Sequence, residues 1–203
     1  SDRTTDTVGE LIQDPVDTPN TSRWSIQVSD DKLYQVDQQV FLDAYGSVST
    51  VIQDVIPPLN QGTTLEIDDI YYFSGVTGRC IVIPRQSPVS PTVPALAANQ
   101  PLADSIYATQ TMAALRRGAL VQLDSPYDTE IVFVLNVVKG PNGTISFECE
   151  TTAAFSAGNT LTGIPTIIVD HFALSDASTG DPITSPVINS TMSGVGTGYI
   201  DIS

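Results

Sequence analysis

Residues 130–150 read EIVFVLNVVKGPNGTISFECE, and this stretch indicates the fold class of the chain. Two runs rich in β-branched and aromatic residues, EIVFVLNVV and TISFECE, flank the turn-forming KGPNG, which predicts a β-hairpin. In the second run apolar and polar residues alternate, so Ile145, Phe147 and Cys149 are expected to face a core. The first run is apolar on both faces, which indicates that something besides its own core covers it.

Similar strand patterns recur along residues 23–173, separated by turn signals. One hairpin is predicted between residues 24–28 and 33–42 around the turn SDDK, and another between 65–73 and 80–83 around SGVTGR. A spacing of roughly 8–12 residues between strands is typical of an antiparallel β-sandwich or barrel. The sequence therefore predicts a mainly β protein.

One segment has a helical pattern, at about residues 103–117, which read ADSIYATQTMAALRR. The Asp-Ser pair can cap the first amides, alanine and methionine fill the interior, and two arginines stand in the last turn. Gly118 is placed to end the helix. We therefore expect one α-helix beside the strands.

The chain is predicted to divide into three parts. Residues 1–22 are polar and acidic and are expected to form an extended N-terminal arm. Residues 23–173 form the β-rich core domain, which includes a proline-rich strap at 84–101. Residues 174–203 are expected to form an extended C-terminal arm, and their last strand-like residues, TGYIDIS, could add a strand to a sheet edge.

Spaced apolar residues in the strap and the C-terminal arm are the candidate interface. Proline fixes φ and reduces the entropy that a segment loses on docking, so both segments are suited to binding a surface, although the strap could equally wrap its own domain. The candidate interface residues are Val89, Val93, Leu96, Ile183, Val187, Ile188, Tyr199, Ile200 and Ile202.

The charge balance argues against several classes of partner. Eight Lys and Arg face 23 Asp and Glu, which gives a formal net charge of −15. Binding to nucleic acid or to an anionic membrane needs basic clusters, so neither partner is expected. No apolar run approaches the roughly 18 residues of a membrane span. The first residues do not read as a signal peptide, so we expect either that one was removed or that the chain stays inside the cell until assembly.

No residue pattern predicts catalysis, a cofactor or a metal site. His171 is the only histidine, no GxSxG elbow is present, and one His with two distant Cys lacks the spacing of zinc ligands. The acidic pairs at 30–31 and 68–69 do not fit a calcium loop and are better explained as turn and edge charges. We therefore expect a protein that is not an enzyme.

The two cysteines, Cys80 and Cys149, have two interpretations. They could form a disulfide if their strands are adjacent, but a single bridge does not make a disulfide scaffold. The preferred interpretation is that both are small buried apolar residues.

The combination of a lean β-core, one helix, an acidic and Ser/Thr/Gly-rich surface, and arms with spaced apolar residues resembles virion structural proteins of tailed bacteriophages. The resemblance implies a protein made in the host cytoplasm and located in the virion. It implies a capsid decoration (cement) protein that forms a homo-oligomer, for example a trimer, and binds the outer shell built by a major capsid protein.

Three alternatives stay open. A tail-tube or head–tail joining subunit would use the same kinds of segment. A β-sandwich carbohydrate-binding or receptor-binding module would use exposed aromatics such as Tyr71, Tyr72 or Tyr127. A hydrolase would hide its acids in a cleft.

Overall fold

A computed structural model describes residues 2–15, 23–41, 49–85, 115–140, 144–170 and 196–202. These residues form two seven-stranded antiparallel sheets, which confirms the mainly β prediction. Contacts within the chain divide it into two compact units, one of Ser1–Pro57 with Pro165–Ser203 and one of Pro58–Ile164. Each unit contains one of the sheets.

The first unit has its strands in the order β1-β14-β4-β5-β13-β3-β2. Their bounds are β1 Asp2–Val8, β2 Leu11–Gln13, β3 Trp24–Gln27, β4 Gln39–Phe41, β5 Ser49–Ile56, β13 Thr166–Val169 and β14 Gly196–Ile202. The core side of this sheet buries Trp24, Ile26, Ile52 and Ile167 almost completely. This agrees with the alternation of apolar residues that begins at Trp24.

The second unit has its strands in the order β10-β11-β7-β6-β12-β8-β9. Their bounds are β6 Leu65–Tyr72, β7 Arg79–Pro84, β8 Leu120–Asp124, β9 Thr129–Phe133, β10 Asn136–Lys139, β11 Ile145–Glu150 and β12 Thr160–Ile164. Fully buried side chains from five of its strands form the core, namely Ile67, Cys80, Val82, Val121, Leu123, Phe147, Cys149 and Leu161.

In each unit, one continuous segment contributes to both margins of the sheet. In the first unit, β1 pairs with β14 and β2 pairs with β3, and Gly9 N donates to Gln27 O at 2.9 Å between them. In the second unit, β9 pairs with β8 and β10 pairs with β11. Between β9 and β10, Leu135 N donates to Glu148 O at 2.8 Å.

The two units have the same strand order when each such segment counts as one strand. We number the six strands of each unit from one to six along the chain. In this numbering the spatial order is 1-2-5-4-3-6 in both units, and the sixth strand neighbours the first again. The third to sixth strands thereby form a Greek key. The second unit is inserted between the fourth and fifth strands of the first unit. In the second unit the corresponding connection is only the turn of the β10–β11 hairpin.

The hairpin at residues 130–150 is confirmed in its second half, where β10 and β11 pair from Asn136↔Glu148 to Lys139↔Ile145. The first run is interrupted at Val134–Leu135, because its two halves pair with different strands. Four consecutive apolar residues around this interruption, Val132 to Leu135, are buried, whereas Val138 in β10 is 36% exposed. The hairpin of 65–73 and 80–83 is also confirmed, by the pairing of β6 with β7.

The hairpin predicted between residues 24–28 and 33–42 is wrong. Strand β3 pairs with β2 and β13, while β4 pairs with β5 and β14. The acidic turn between them forms a 3₁₀ helix, Asp31–Leu33, in which the Asp30 carboxylate accepts a hydrogen bond from Lys32 N at 3.0 Å. Tyr34 then donates its hydroxyl to Asp6 on β1, so this segment is tied to β1 and does not reverse onto β3.

The α-helix predicted at 103–117 is not borne out. Residues 103–114 lie outside the described part of the chain, and the last residues of the prediction, 115–117, are not helical. Arg117 donates to the carbonyl of Leu135, and its guanidinium stacks over the Phe133 ring at 5.7 Å. Gly118, at φ 90°, turns the chain into β8. The glycine therefore precedes a strand and does not end a helix. Among the described residues, helices occur only as two short 3₁₀ turns, and none of them could span a membrane.

Two parts of the predicted arms are described, residues 2–15 and 196–202, and their strands β1, β2 and β14 all pair within the sheet of the first unit. Strand β14 does not lie at an edge, because it pairs with β1 on one side and with β4 on the other. Of the proline-rich strap, only Pro84 and Arg85 are described, and Pro84 ends β7.

Candidate functional site

Exposed large apolar side chains gather at one end of the second unit. The β6–β7 turn presents Tyr71, Tyr72, Phe73 and Val76, which are 40–54% exposed, and the β8–β9 turn presents Tyr127, which is 92% exposed. Because neighbouring strands are antiparallel, both turns are directed to the same end of the sheet, but they are staggered, since Asp124 at the end of β8 is level with Glu66 near the start of β6. We call these five residues the aromatic end.

The chain enters and leaves the second unit at the opposite end. Strand β6 begins at Leu65, which pairs with Leu161 in β12, and β12 runs on past this pair to Ile164, the last residue of the second unit. The aromatic end is therefore built only from turns that return within the same unit.

Two glycines shape the β6–β7 turn. Gly75 and Gly78 have φ of 89° and 78°, a conformation that other residues rarely adopt. At Gly78, a Cβ atom would lie 2.2 Å from the carbonyl oxygen of Thr151. The close approach of the two backbones allows a hydrogen bond, which Thr151 N donates to Gly78 O at 2.9 Å. The turn is thus fixed to the segment that follows β11.

Tyr72 continues this connection through its hydroxyl. Phe155 N donates to the Tyr72 oxygen at 2.9 Å, and the Thr151 hydroxyl lies 3.3 Å from the same atom. Tyr72 is 41% exposed, while Phe155 is buried. Tyr72 therefore holds residues 151–155 in place while it still presents part of its ring to solvent.

Glu130, at the start of β9, holds the same segment from the other side. Its carboxylate accepts from the backbone N–H groups of Thr152 and Ala153 at 2.8–3.2 Å, and from the Thr152 hydroxyl at 3.1 Å. The segment 151–155 therefore bridges the β6–β7 hairpin and the strand that follows Tyr127. A surface held in this way is ordered before it meets a ligand.

Tyr71 and Asp69 form a polar pair on the face of β6 opposite to Tyr72, because consecutive residues of a strand point to opposite faces. The Tyr71 hydroxyl donates to the Asp69 carboxylate at 2.6 Å, and this hydrogen bond, together with the negative charge, raises the pKa of Tyr71 above its ordinary value. The hydroxyl therefore stays protonated. Its ring is 54% exposed and is oriented by the bond.

Ion pairs stand on the outer surface of the same unit. Arg79 pairs with Glu148 at 2.8 Å, and Arg85 pairs with Glu66 at 2.8 Å and with Asp68 at 2.9 Å. These pairs involve one acidic residue of β11 and two of β6. In the described ranges, no group of three or more His, Cys, Asp and Glu residues is arranged to hold a metal ion.

The structure places few of the sequence-predicted interface residues. Val89, Val93, Leu96, Ile183, Val187 and Ile188 lie outside the described residues, as does His171. Tyr199, Ile200 and Ile202 lie in β14, where Ile200 pairs with Thr4 on one side and with Val40 on the other. The proposed contacts of all nine residues stay predictions.

Three residues of the aromatic end are the tyrosines that the sequence offers as exposed aromatics of a carbohydrate-binding or receptor-binding module. Tyr71, Tyr72 and Tyr127 are all exposed in the structure. Phe73 and Val76 were not singled out, although the run YYFSGV, with two aromatics entering a glycine turn, was a usable signal. No protein-family model, curated protein or solved structure matches the chain.

Proposed function

We propose that this protein is a non-enzymatic structural protein of a virion, which assembles with itself and decorates the outer shell of a capsid. The observation that carries the assembly role is the aromatic end. Its side chains expose large apolar area on a chain with a charged fraction of only 15%, and exposed clusters of this kind mark interaction sites. Tyrosine and other aromatics are also the residues that dominate binding energy at protein interfaces.

Rigidity supports the same role. The β6–β7 turn and the 151–155 segment are held by Tyr72, Glu130 and the Thr151–Gly78 bond. Ordered aromatic side chains lose little conformational entropy on binding, so a modest contact area can yield useful affinity. The bacteriophage setting is supported by the resemblance in composition and segment pattern.

We infer further that each unit is a closed antiparallel barrel. Support comes from the continuous segments 2–13 and 129–139, each of which pairs with both margins of its sheet. A strand that bends from one sheet edge to the other is the usual way in which such barrels close. Closure also removes exposed strand edges, which is useful in a protein that assembles at high local concentration.

The test is the state of assembly and its dependence on the aromatic end. The full chain is examined by sedimentation velocity and negative-stain electron microscopy, alone and with empty capsid shells. We expect a homo-oligomer, with a trimer supporting decoration, and co-sedimentation with shells. A six-fold ring that does not bind shells would favour the tail-tube subunit, and a monomer that binds neither would overturn the assembly proposal.

Two variants assign the contact to residues. Tyr127→Ala combined with Val76→Ala should lower self-association or shell binding at least tenfold, because both side chains are exposed and removable without opening the core. The matched control is Leu33→Ala combined with Val36→Ala, which removes similar exposed apolar groups from the first unit. An equal loss in both pairs would contradict a specific role for the aromatic end.

A carbohydrate-binding module is the second candidate, and Tyr71 with Asp69 favours it. An exposed aromatic face stacks on the C–H face of a sugar, and a neighbouring carboxylate accepts hydrogen bonds from sugar hydroxyls. Tyrosine fluorescence titrations with a panel of neutral and acidic oligosaccharides test this candidate. Saturable binding that Asp69→Asn weakens would support it, and no response to any sugar would remove it.

A further inference from the structure

The two cysteines of the chain are direct neighbours inside the second unit. Cys80 on β7 and Cys149 on β11 are cross-strand partners, and their Sγ atoms are 3.7 Å apart. Both side chains are 0% exposed, and both thiols are free in this structure. The strands meet only in the fold, since the residues are 69 apart in sequence.

The backbone geometry suits a covalent link. Directly opposed residues of an antiparallel pair have Cα atoms about 4.5 or 5.5 Å apart, and disulfides span Cα separations of about 4.4–6.8 Å. Bringing the sulfurs from 3.7 Å to bonding distance therefore needs side-chain rotation and little backbone movement. We propose that Cys80 and Cys149 form an intramolecular disulfide that joins β7 to β11.

The two thiols share one hydrogen bond, in which either sulfur can be the donor. Because the thiolate is the reactive form, the cysteine that ionises first forms the first bond to an oxidant.

The oxidant is a disulfide, either a small molecule such as oxidised glutathione or a thiol–disulfide exchange protein. One of the two cysteines, as its thiolate, attacks one sulfur of this disulfide and releases the other as a thiolate, which takes up the proton lost by that cysteine. The second cysteine then loses its proton, attacks the Sγ atom of the first and releases the second thiol. In sum, two electrons and two protons pass from the cysteines to the oxidant, which becomes two thiols.

Burial determines when this can occur. With both cysteines 0% exposed, an oxidant reaches either of them only while the unit folds or opens transiently. Once formed, the bond is shielded from reductants in the same way, so the oxidised form should persist. The inference does not depend on the assembly role proposed above.

The experiment compares full-length protein refolded with oxidised and reduced glutathione against protein refolded with reductant only. Trypsin cuts after Arg79, Arg85 and Lys139, so the cysteines fall in the peptides 80–85 and 140–203. We expect these peptides to appear as one disulfide-linked species in unreduced digests, and to separate after reduction. Full alkylation of both thiols in the oxidised sample, or links only between chains, would overturn the proposal.

A stability measurement provides the second readout. Closing a loop of this length should raise the thermal midpoint of the oxidised protein by roughly 5–15 °C. The control is the double variant Cys80→Ala/Cys149→Ala, whose midpoint should not depend on the glutathione redox state. A wild-type midpoint that is equally independent of redox state would contradict a native disulfide.

Discussion

Single residues decide how the turns and loops of this protein are held. Gly78 and Gly75 lie in the same β6–β7 turn with similar positive φ, but only Gly78 has no room for a side chain. Asp6 is buried in the first unit, and the hydroxyls of Tyr34 and Ser29 both donate to its carboxylate. These contacts connect β1 to the segment that follows β3.

Gly78→Ala should destabilise the second unit by about 2–4 kcal/mol, because it adds both backbone strain and a clash with Thr151 O. Gly75→Ala is the matched control, since nothing lies within 4 Å of its Cβ position and it adds only the strain of about 1–2 kcal/mol. Urea denaturation followed by tyrosine fluorescence measures both. Equal effects would show that the Thr151 contact is unimportant.

Tyr34→Phe should lower the free energy of unfolding by about 1–3 kcal/mol at neutral pH, because a buried carboxylate loses a donor. Tyr127→Phe, at a hydroxyl on a 92% exposed residue, should change nothing. Denaturant titrations of both variants beside the wild type measure these differences.

The effect of Tyr34 should also depend on pH. Burial, followed by the hydrogen bond to Asp6 and its charge, raises the pKa of Tyr34 above the ordinary 10.0. A raised folded pKa gives stability that is complete below pH 10 and decreases as the pH rises further, because only the unfolded tyrosine ionises there. The difference between wild type and Tyr34→Phe should therefore shrink above about pH 10. A difference that stays constant to pH 11 would contradict this.

At the scale of elements, position in the sheet decides what each strand does. Strand β14 comes from the end of the sequence yet pairs with β1 over all seven residues of that strand and also with β4. The same strand pattern would serve a docking arm in another setting. Here it pairs within the first unit, with β1 along its whole length and with β4 at Tyr199 and Ile200.

Deleting residues 196–203 should therefore open the first unit between β1 and β4. Amide hydrogen exchange in both strands should accelerate at least tenfold, because they lose their shared partner. Strands β7 and β11 of the second unit serve as the internal control and should keep their protection. Unchanged exchange in β1 would indicate that β14 contributes little to the unit.

The whole molecule consists of two units with one strand order, of which the second interrupts the first between β5 and β13. Strand β5 pairs with β13 from Ile56↔Thr166, so the two points where the chain leaves and rejoins the first unit are adjacent. Such an insertion needs no change in the host sheet, because a hairpin turn could join the same two residues.

Each unit should therefore fold without the other. The fragment 58–164 should give dispersed amide signals and cooperative unfolding, and a chain of 1–56 joined to 166–203 through an added Asn-Gly turn should do the same. Nuclear magnetic resonance and thermal melts measure both. A fragment 58–164 that stays unfolded under conditions where the full chain melts cooperatively would contradict the independence of the units.

The sequence by itself determined the local features of this protein. Alternation of apolar residues predicted the buried face at Trp24 and Ile26, and turn residues located the β6–β7 and β10–β11 hairpins, because each depends on residues close in the chain. Two local signals, the turn SDDK and Gly118, are compatible with more than one structure. At these places the structure depends on which strands the neighbouring residues pair with.

Only the tertiary structure decided which distant segments meet. Thr50 donates to Asp170 O across 120 residues, Phe155 meets Tyr72, and Cys80 faces Cys149. The periodicity of apolar residues predicts that a strand has a buried face. It does not predict which strand lies beside it, since any apolar face can pack on another. The order of strands, and with it the aromatic end and the cysteine pair, follows from which long-range pairing satisfies all backbone groups and buries all apolar faces together.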